Sequence, residues 1–357
     1  MKAAKSVPSF YGIGSDPEFL FLHMEGSKKE VMPANYMITA NKTIATRAFI
    51  GTDGHATTAE MRPNPSHNVG RHLYDIAYGL HETAKWLEKH KRYTKVFMTA
   101  QPFVFDEPLG GHIHCSFFLD EPLTKQVQAL NRSYHGDRIV AFDPQQPATA
   151  LTAESTEVLK KYINAVYNHE LFTLDDFGAI VDHLMWPFEC AVQPWWDRLR
   201  RNTRYGGYDQ GERVRQNVSY PRTSGKSSRL AYMHCEYRAP STWLCHPWLA
   251  YSYLALAKLS ILNAKLIGSL IGTPPLPPDS PARRGTAADP PAKMQLPRND
   301  VYTKLFYERL KVIAEKGRWS NDLKNLHEIL PKCFDNRDSW FEVHGQPIDI
   351  EAWRKLL

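Results

Sequence analysis

Residues 110–117 read Gly-Gly-His-Ile-His-Cys-Ser-Phe, and the alternation inside them decides the fold class. His112, His114 and Ser116 interleave with Ile113, Cys115 and Phe117, the period-two pattern of a strand with one polar and one buried face. On such a strand Cys115 faces the core, which argues against a Cys–His nucleophile at His114-Cys115. Three further segments share the design. Asp16-Pro17-Glu18 runs into Phe19-Leu20-Phe21-Leu22, Glu60-Met61-Arg62 follows Gly51-Thr52-Asp53-Gly54, and His234-Cys235-Glu236-Tyr237-Arg238 lies far downstream. Each sets two functional groups two residues apart, hence on one side of a strand.

From Phe10 to about Phe118 other short apolar runs, Ala48-Phe49-Ile50 and Val96-Phe97-Met98, alternate with turn residues in the manner of strands. One helix interrupts them: Ser66 suits its N-cap, and Val69, Leu73, Ile76, Leu80, Ala84 and Leu87 recur at three- and four-residue steps. A second helix is predicted over Ser155–Asn168. A third, over Pro247–Ile271, is apolar nearly all round and therefore buried. Gly272–Arg298 carries eight prolines, a density no helix or central strand survives, and reads as an extended linker or wrapping arm. Helical patterns over Asn299–Glu315 and Asn321–Leu330 follow, then a tail bearing Trp340 and Trp353. The predicted organisation is a catalytic domain over 1–271, a Pro-rich arm over 272–298 and a helical extension over 299–357.

Composition narrows the classes. The chain has 357 residues, 43% of them hydrophobic, and a net charge of +6 from 44 basic and 38 acidic residues. This excludes wholesale disorder and leaves binding of phosphate or nucleic acid open without arguing for it. Five scattered cysteines with no CxxC argue against a disulfide scaffold or a thiolate zinc knuckle and for a reducing cytoplasm. The most apolar stretch, Trp248–Ile271, is interrupted by Lys258 and Lys265, so no span of about 20 apolar residues crosses a membrane. The opening residues MKAAKSVPSFYG lack the apolar region of a secretory signal. Phosphate-loop, dinucleotide, nucleophile-elbow and HExxH signatures are absent from the sequence.

If the four strands share one sheet, three acids and two histidines converge. Two carboxylates about 4 Å apart repel by roughly 4 kcal/mol at an effective dielectric near 20, so a third demands protons or cations. Carboxylate oxygens with imidazole suit Mg²⁺ or Mn²⁺, and such a face seats nucleotide phosphates. The stretch Arg198–Arg229 holds eight arginines and Lys226 among glycines. It reads as a phosphate grip, as a solvated basic loop, or, with Tyr205, Tyr208 and Tyr220 interleaved, as a nucleic-acid patch.

Four motifs in order, GSDPEFLF (Gly14–Phe21), GTDGHATTAEMRPNPS (Gly51–Ser66), GGHIHCSF (Gly110–Phe117) and HCEYRAPSTWLCHPWLA (His234–Ala250), resemble the phage-encoded carboxylate–amine ligase (amidoligase) group. That group lies within the glutamine synthetase and γ-glutamylcysteine ligase superfamily. The resemblance implies an α+β fold with a glutamine synthetase-like catalytic domain: a curved, mainly antiparallel sheet, helices on one face and a helical C-terminal tail. It implies Glu18, Glu60, His112 and Glu236 as metal ligands, and His114, Lys226 and Arg238 toward nucleotide. Arg238 with Arg222 or Arg229 would stabilise phosphoryl transfer, and Arg62 and Asp53 would lie near substrate. It further implies ATP and Mg²⁺ (or Mn²⁺) as cofactors, small-molecule or peptide carboxylate and amine substrates, no membrane or nucleic-acid partner, and homo-oligomers as a common state of relatives. For a phage-encoded chain the location is the host cytoplasm. Family members often carry Glu-x-Glu on the first strand, whereas here the partner of Glu18 is Asp16, so the metal count stays open. No counterpart of the ammonia-recognition loop is evident, and glutamine synthesis itself is not implied. Two other classes stand beside the ligase. One is a non-catalytic phage structural or host-interaction protein keeping the fold; the other is a metal-dependent hydrolase using His112 and His114.

Overall fold

The computed structural model describes residues 11–40, 50–52, 56–101, 103–104, 107–118, 154, 174–192, 214–216, 231–238, 240–271, 300–341 and 345–357. The helix expected over Ser155–Asn168, the Pro-rich arm and nearly all of Arg198–Arg229 lie outside them.

The long strand β1 (Tyr11–Glu25) organises an antiparallel sheet with β2 (Lys28–Met32), β3 (Ile50–Thr52), β4 (Thr58–Met61), β5 (Val96–Thr99), β8 (Gly111–Phe118), β9 (Val214–Gln216) and β10 (Ala231–Tyr237). The path runs β3-β4-β1-β8-β10-β9, with β2 and β5 also paired to β1. A two-stranded ribbon, β6 (Phe103–Val104) with β7 (Glu107–Pro108), precedes β8. The helices are α1 (Ala34–Ala40), α2 (Val69–Lys89), α3 (Leu174–Val192), α4 (Pro247–Leu262), α5 (Ala264–Leu270), α6 (Asp300–Lys316), α7 (Leu326–Phe341) and α8 (Ile350–Arg354). The fold is therefore α+β with a mainly antiparallel sheet, as expected.

The period of two sorts the sheet's faces. Ile13, Phe19 and Phe21 of β1, Ile113 and Cys115 of β8, and Tyr237 of β10 join one core with residues of α2, α3 and α4. Cys115 is fully buried there, as its place on the strand requires. The intervening residues of the same strands face the other way, where Leu20 packs with Leu109.

Two boundaries differ from the sequence reading. The N-cap of α2 is Asn68, whose side chain accepts from Arg71 N at 2.8 Å, and not Ser66. Ser66 is held instead by a two-way backbone bridge to Ile13 at 2.8 Å each way, so the helix begins only after that bridge closes. The apolar stretch Pro247–Ile271 is two helices rather than one. Asn263 breaks it, its side-chain amide donating to Leu259 O and Arg318 O at 2.9 and 3.0 Å while Arg318 N donates back at 2.6 Å. Side-chain competition for backbone groups is the ordinary way asparagine interrupts a helix. Helix α3 carries no mark in the sequence reading.

The C-terminal helices share the core. Phe306, Ile313 and Leu330 are essentially fully buried in it, each contributing roughly 1.5–3 kcal/mol. Trp353 Nε1 donates to Leu244 O at 2.9 Å, and Ile348 N donates to Met98 O at 2.8 Å beside β5. Lys258 of α4, nearly inaccessible, donates to both oxygens of Asp322 at 2.7 and 2.6 Å and to His67 O at 2.7 Å. Asp322 also accepts from Val69 N at 2.9 Å. One ion pair thus fastens α4, the start of α2 and the C-terminal segment.

Candidate active site

Register determines which polar groups meet. Asp16 lies opposite His112 across β1–β8, His114 opposite Glu236 across β8–β10, and Glu18 opposite Glu60 across β1–β4. Directly opposed residues share a face, so all six stand on the side of the sheet away from the helical core. Glu18, Glu60, His112, His114 and Glu236 are buried and Asp16 is half-buried.

Three of them cluster. His112 Nδ1 lies 3.5 Å from Asp16 Oδ1 and 3.5 Å from Glu236 Oε1, and ligand atoms of the three residues all fall within 4.8 Å of one another. His114 Nε2 closes on Asp16 Oδ2 at 2.9 Å, and Arg238 Nε lies 3.2 Å from Glu236 Oε1. Burial opposes ionisation of Asp16, but His114 and His112 outweigh it and hold its carboxyl well below the usual carboxylate range. Asp16 Oδ1 is buried and has no hydrogen-bond partner among the described residues. Two carboxylate oxygens, one of them the buried and unsatisfied Asp16 Oδ1, and an imidazole nitrogen suit a hard divalent cation. The donor set fits Mg²⁺ or Mn²⁺.

The other two acids have their own partners. Glu18 accepts from Gly110 N at 2.6 Å. Glu60 is bonded by Arg62 Nε, and Arg62 Nη2 donates to Thr52 O at 2.8 Å. Of the metal set read from the sequence, the structure brings His112 and Glu236 together with Asp16, and sets Glu18 and Glu60 opposite each other on the adjoining strands. Asp16 is the residue that sequence reasoning left out of the set. Its two-residue spacing from Glu18 was the signal, and the register to His112 is what selects it. Arg238 stands beside Glu236 as the Glu-x-Arg spacing requires, and His114 faces Asp16. Asp53, Arg222, Lys226 and Arg229 lie outside the described residues.

Two glycines let β8 start where it does. A Cβ on Gly110 would meet His112 Nε2 at 2.4 Å, and one on Gly111 would meet Ser241 O at 2.3 Å and Trp243 Cδ1 at 2.5 Å. The segment 240–243 grips this corner: Gly111 N donates to Pro240 O at 2.8 Å, Trp243 Nε1 to Gly111 O at 2.9 Å, and Thr242 Oγ1 to Glu18 O at 2.6 Å. Glu189 of α3, fully buried, accepts from Ser241 N at 2.9 Å and from the Tyr253 hydroxyl. Behind β1, Ser15 Oγ lies 2.8 Å from His72 Nε2, and His72 Nδ1 lies 3.0 Å from Asn64 O. Burial holds His72 down to about 4. A neutral ring facing a carbonyl carries its proton on Nδ1, so Nε2 accepts from Ser15. These braces fix β1 and β8, two of the three strands that carry the cluster. Glu189, Thr242 and His72 were not singled out by the sequence reading, because each acts through residues far away in the chain.

A carboxylate–imidazole cluster beside an arginine, on the face of an antiparallel sheet away from its helices, makes this an α+β protein with a candidate metal centre. Residues 13–130 match the family described as phage phiEco32-like COOH.NH2 ligase-type 2. The resemblance drawn from the first three motifs is borne out there; the fourth, His234–Ala250, lies beyond the matched segment. Solved structures with similar folds include three at low identity. The complex of the prokaryotic ubiquitin-like protein Pup with its ligase PafA aligns at 8% identity and TM-score 0.47, over 94% of this chain and 65% of that one. A novel glutamine synthase homolog aligns at 14% and 0.41, over 97% and 71%. A bifunctional glutathione synthetase from Pasteurella multocida aligns at 12% and 0.42, over 92% and 47%. The chain spans less than two thirds of the length of the first and third. No curated protein matches it. Among the described residues no helix is long and apolar enough to cross a membrane.

Proposed function

We propose that this protein is an ATP- and Mg²⁺-dependent ligase that joins a carboxylate to an amine through an acyl phosphate. The observation that carries the reading is the meeting of Asp16, His112 and Glu236 around the unsatisfied Asp16 Oδ1; the family match over residues 13–130 supports it. Asp16, His112 and Glu236 would hold the cation, with Glu18 and Glu60 as the adjoining carboxylates of the same face. When bound, a divalent cation neutralises phosphate charge and aligns the γ-phosphoryl group.

The chain's own groups do the rest. His114, bonded to Asp16, faces the nucleotide side of the cluster. Arg238, 3.2 Å from Glu236, sets a planar cation where negative charge grows as the substrate carboxylate attacks the γ-phosphorus and ADP leaves. Arg62, oriented by Glu60 and Thr52, is the described cation at the β3–β4 edge and would bind a substrate carboxylate, with Asp53 toward the amine. Arg222 or Arg229 would stabilise the phosphoryl group in transfer, and Lys226 would bind nucleotide. The uncharged amine attacks the acyl carbon, the C–O bond to phosphate breaks, and the nitrogen gives up a proton to solvent to leave the amide. Substrates are small-molecule or peptide acids and amines, and the reaction belongs in a cytoplasm that supplies ATP.

The test is phosphate release from ATP, measured over a panel of acid and amine pairs. Wild type should release phosphate only with both partners and Mg²⁺, and Asp16→Asn and Glu236→Gln should lower the rate at least a hundredfold without loss of fold. Turnover unchanged in either variant would refute the assignment.

A further inference from the structure

On the helical side of the sheet, away from the carboxylate cluster, a cavity of about 510 Å³ opens between the start of α2, the start of α4, α7 and α8. Its volume is that of a small-molecule site. Leu73, Pro247, Trp248, Ile329 and Leu356 make an apolar wall, and two lysines, Lys324 and Lys355, stand exposed at its edge. Of the two acids that line it, Asp322 is neutralised by Lys258, and Asp349 is an exposed carboxylate. Asp322 is held by Lys258, Ser320 and Val69 N, and Asp349 caps α8 by accepting from Ala352 N at 2.9 Å. Among the described residues neither Lys324 nor Lys355 has a salt-bridge partner. The cavity therefore pairs an apolar, aromatic-walled interior with two rim lysines against one exposed carboxylate, a net positive rim.

We infer that this cavity is a second ligand site, separate from the ligase site, for an amphipathic organic anion: a ring-bearing apolar body ended by an acidic group. The body would lie against Trp248 and Leu73, and the acidic group would meet Lys324 and Lys355. Apolar burial supplies the affinity and the lysines the orientation. A cation would find both rim charges repulsive, and a fully polar anion would leave the wall unused. The inference does not depend on the proposed ligase activity.

The probe is 1-anilinonaphthalene-8-sulfonate, an aromatic body with one sulfonate, titrated by fluorescence into the full chain. One saturable site is expected, undisturbed by a non-hydrolysable ATP analogue. Lys324→Glu with Lys355→Glu should weaken it at least tenfold, and Ala352→Trp, which fills the cavity, should abolish it. The uncharged N-phenyl-1-naphthylamine should bind at least tenfold more weakly than the sulfonate. Circular dichroism checks that Ala352→Trp folds, and the paired charge reversal, on exposed residues, remains decisive if it does not. No saturable site, an affinity changed less than threefold by the charge reversal, or equal binding of the uncharged analogue would overturn the inference.

Discussion

His112 reaches diagonally to Glu236 on the neighbouring strand: the register sets Glu236 opposite His114, yet His112 Nδ1 stands 3.5 Å from Glu236 Oε1. The same nitrogen lies 3.5 Å from Asp16 Oδ1 on the other neighbouring strand. One imidazole on the middle strand thus ties carboxylates from both flanking strands into a single cluster. Anything that turns this ring alters the cluster while leaving the sheet's ladder in place.

Gly110 and Gly111 separate those two consequences. Gly110→Ala drives a methyl group into the His112 ring, a side chain that can swing. It should cost about 1 kcal/mol of stability and weaken Mn²⁺ binding at least tenfold. Gly111→Ala meets backbone Ser241 O and the buried Trp243 ring, which cannot yield cheaply, and should cost about 3 kcal/mol by overpacking. Denaturant unfolding of both variants with a Mn²⁺ titration checks the contrast. Equal loss of stability in the two would contradict it.

The Lys258–Asp322 pair should matter more than most ion pairs. Lys258 is nearly inaccessible and Asp322 half-buried. Burial pulls the Lys258 ammonium below its ordinary range against the pull of Asp322. Asp322→Ala would leave that charge buried without its carboxylate, and should cost about 3–5 kcal/mol. Thermal melting checks it. A shift of under 2 °C would show that the clasp is dispensable.

Stability should fall in mild acid. Burial holds His72, His183 and His246 down to about 4 from an ordinary 6.5. Arg309 acts in the same direction on His183, as does Lys355 on His246 and His114 on His72, while Asp349 and the Asn64 carbonyl oppose. Below pH 6.5 the unfolded chain takes up protons that the folded chain refuses, so stability is present above 6.5 and is lost as pH drops toward 4. For the fully enclosed His72 the loss is on the order of 3 kcal/mol by pH 4. Urea midpoints at pH 7.5, 6.0 and 5.0 should decline steadily. A flat profile down to pH 5 would contradict the assignment.

Local pattern carried much of this into the sequence. Alternation placed Cys115 in the core and His112 and His114 on the other face, and the three- and four-residue steps from Val69 to Leu87 gave α2 to within a few residues. What local pattern lacks is register. Glu18, Asp16 and Glu60 are equivalent acids on strands, and only the pairing of Asp16 with His112, across 96 positions of chain, selects Asp16 for the cluster. The same holds for Glu189, whose partners Ser241 and Tyr253 are remote in sequence, and for Ile348, which returns to Met98 beside β5. The break at Asn263 was hidden because its partner, Arg318, lies in the C-terminal segment. Ser66 is a good cap residue by type, but the backbone bridge to Ile13 had already claimed its position.

The most direct test of the central claim is calorimetric titration of the full chain with a non-hydrolysable ATP analogue, with and without Mg²⁺, on wild type and Glu236→Gln. The account predicts binding in wild type that requires Mg²⁺ and falls at least tenfold in Glu236→Gln, with unfolding midpoints of the two proteins within a few degrees. Binding indifferent to Mg²⁺ and to the substitution, or no binding by wild type at all, would contradict it and leave the non-catalytic and hydrolytic readings in its place.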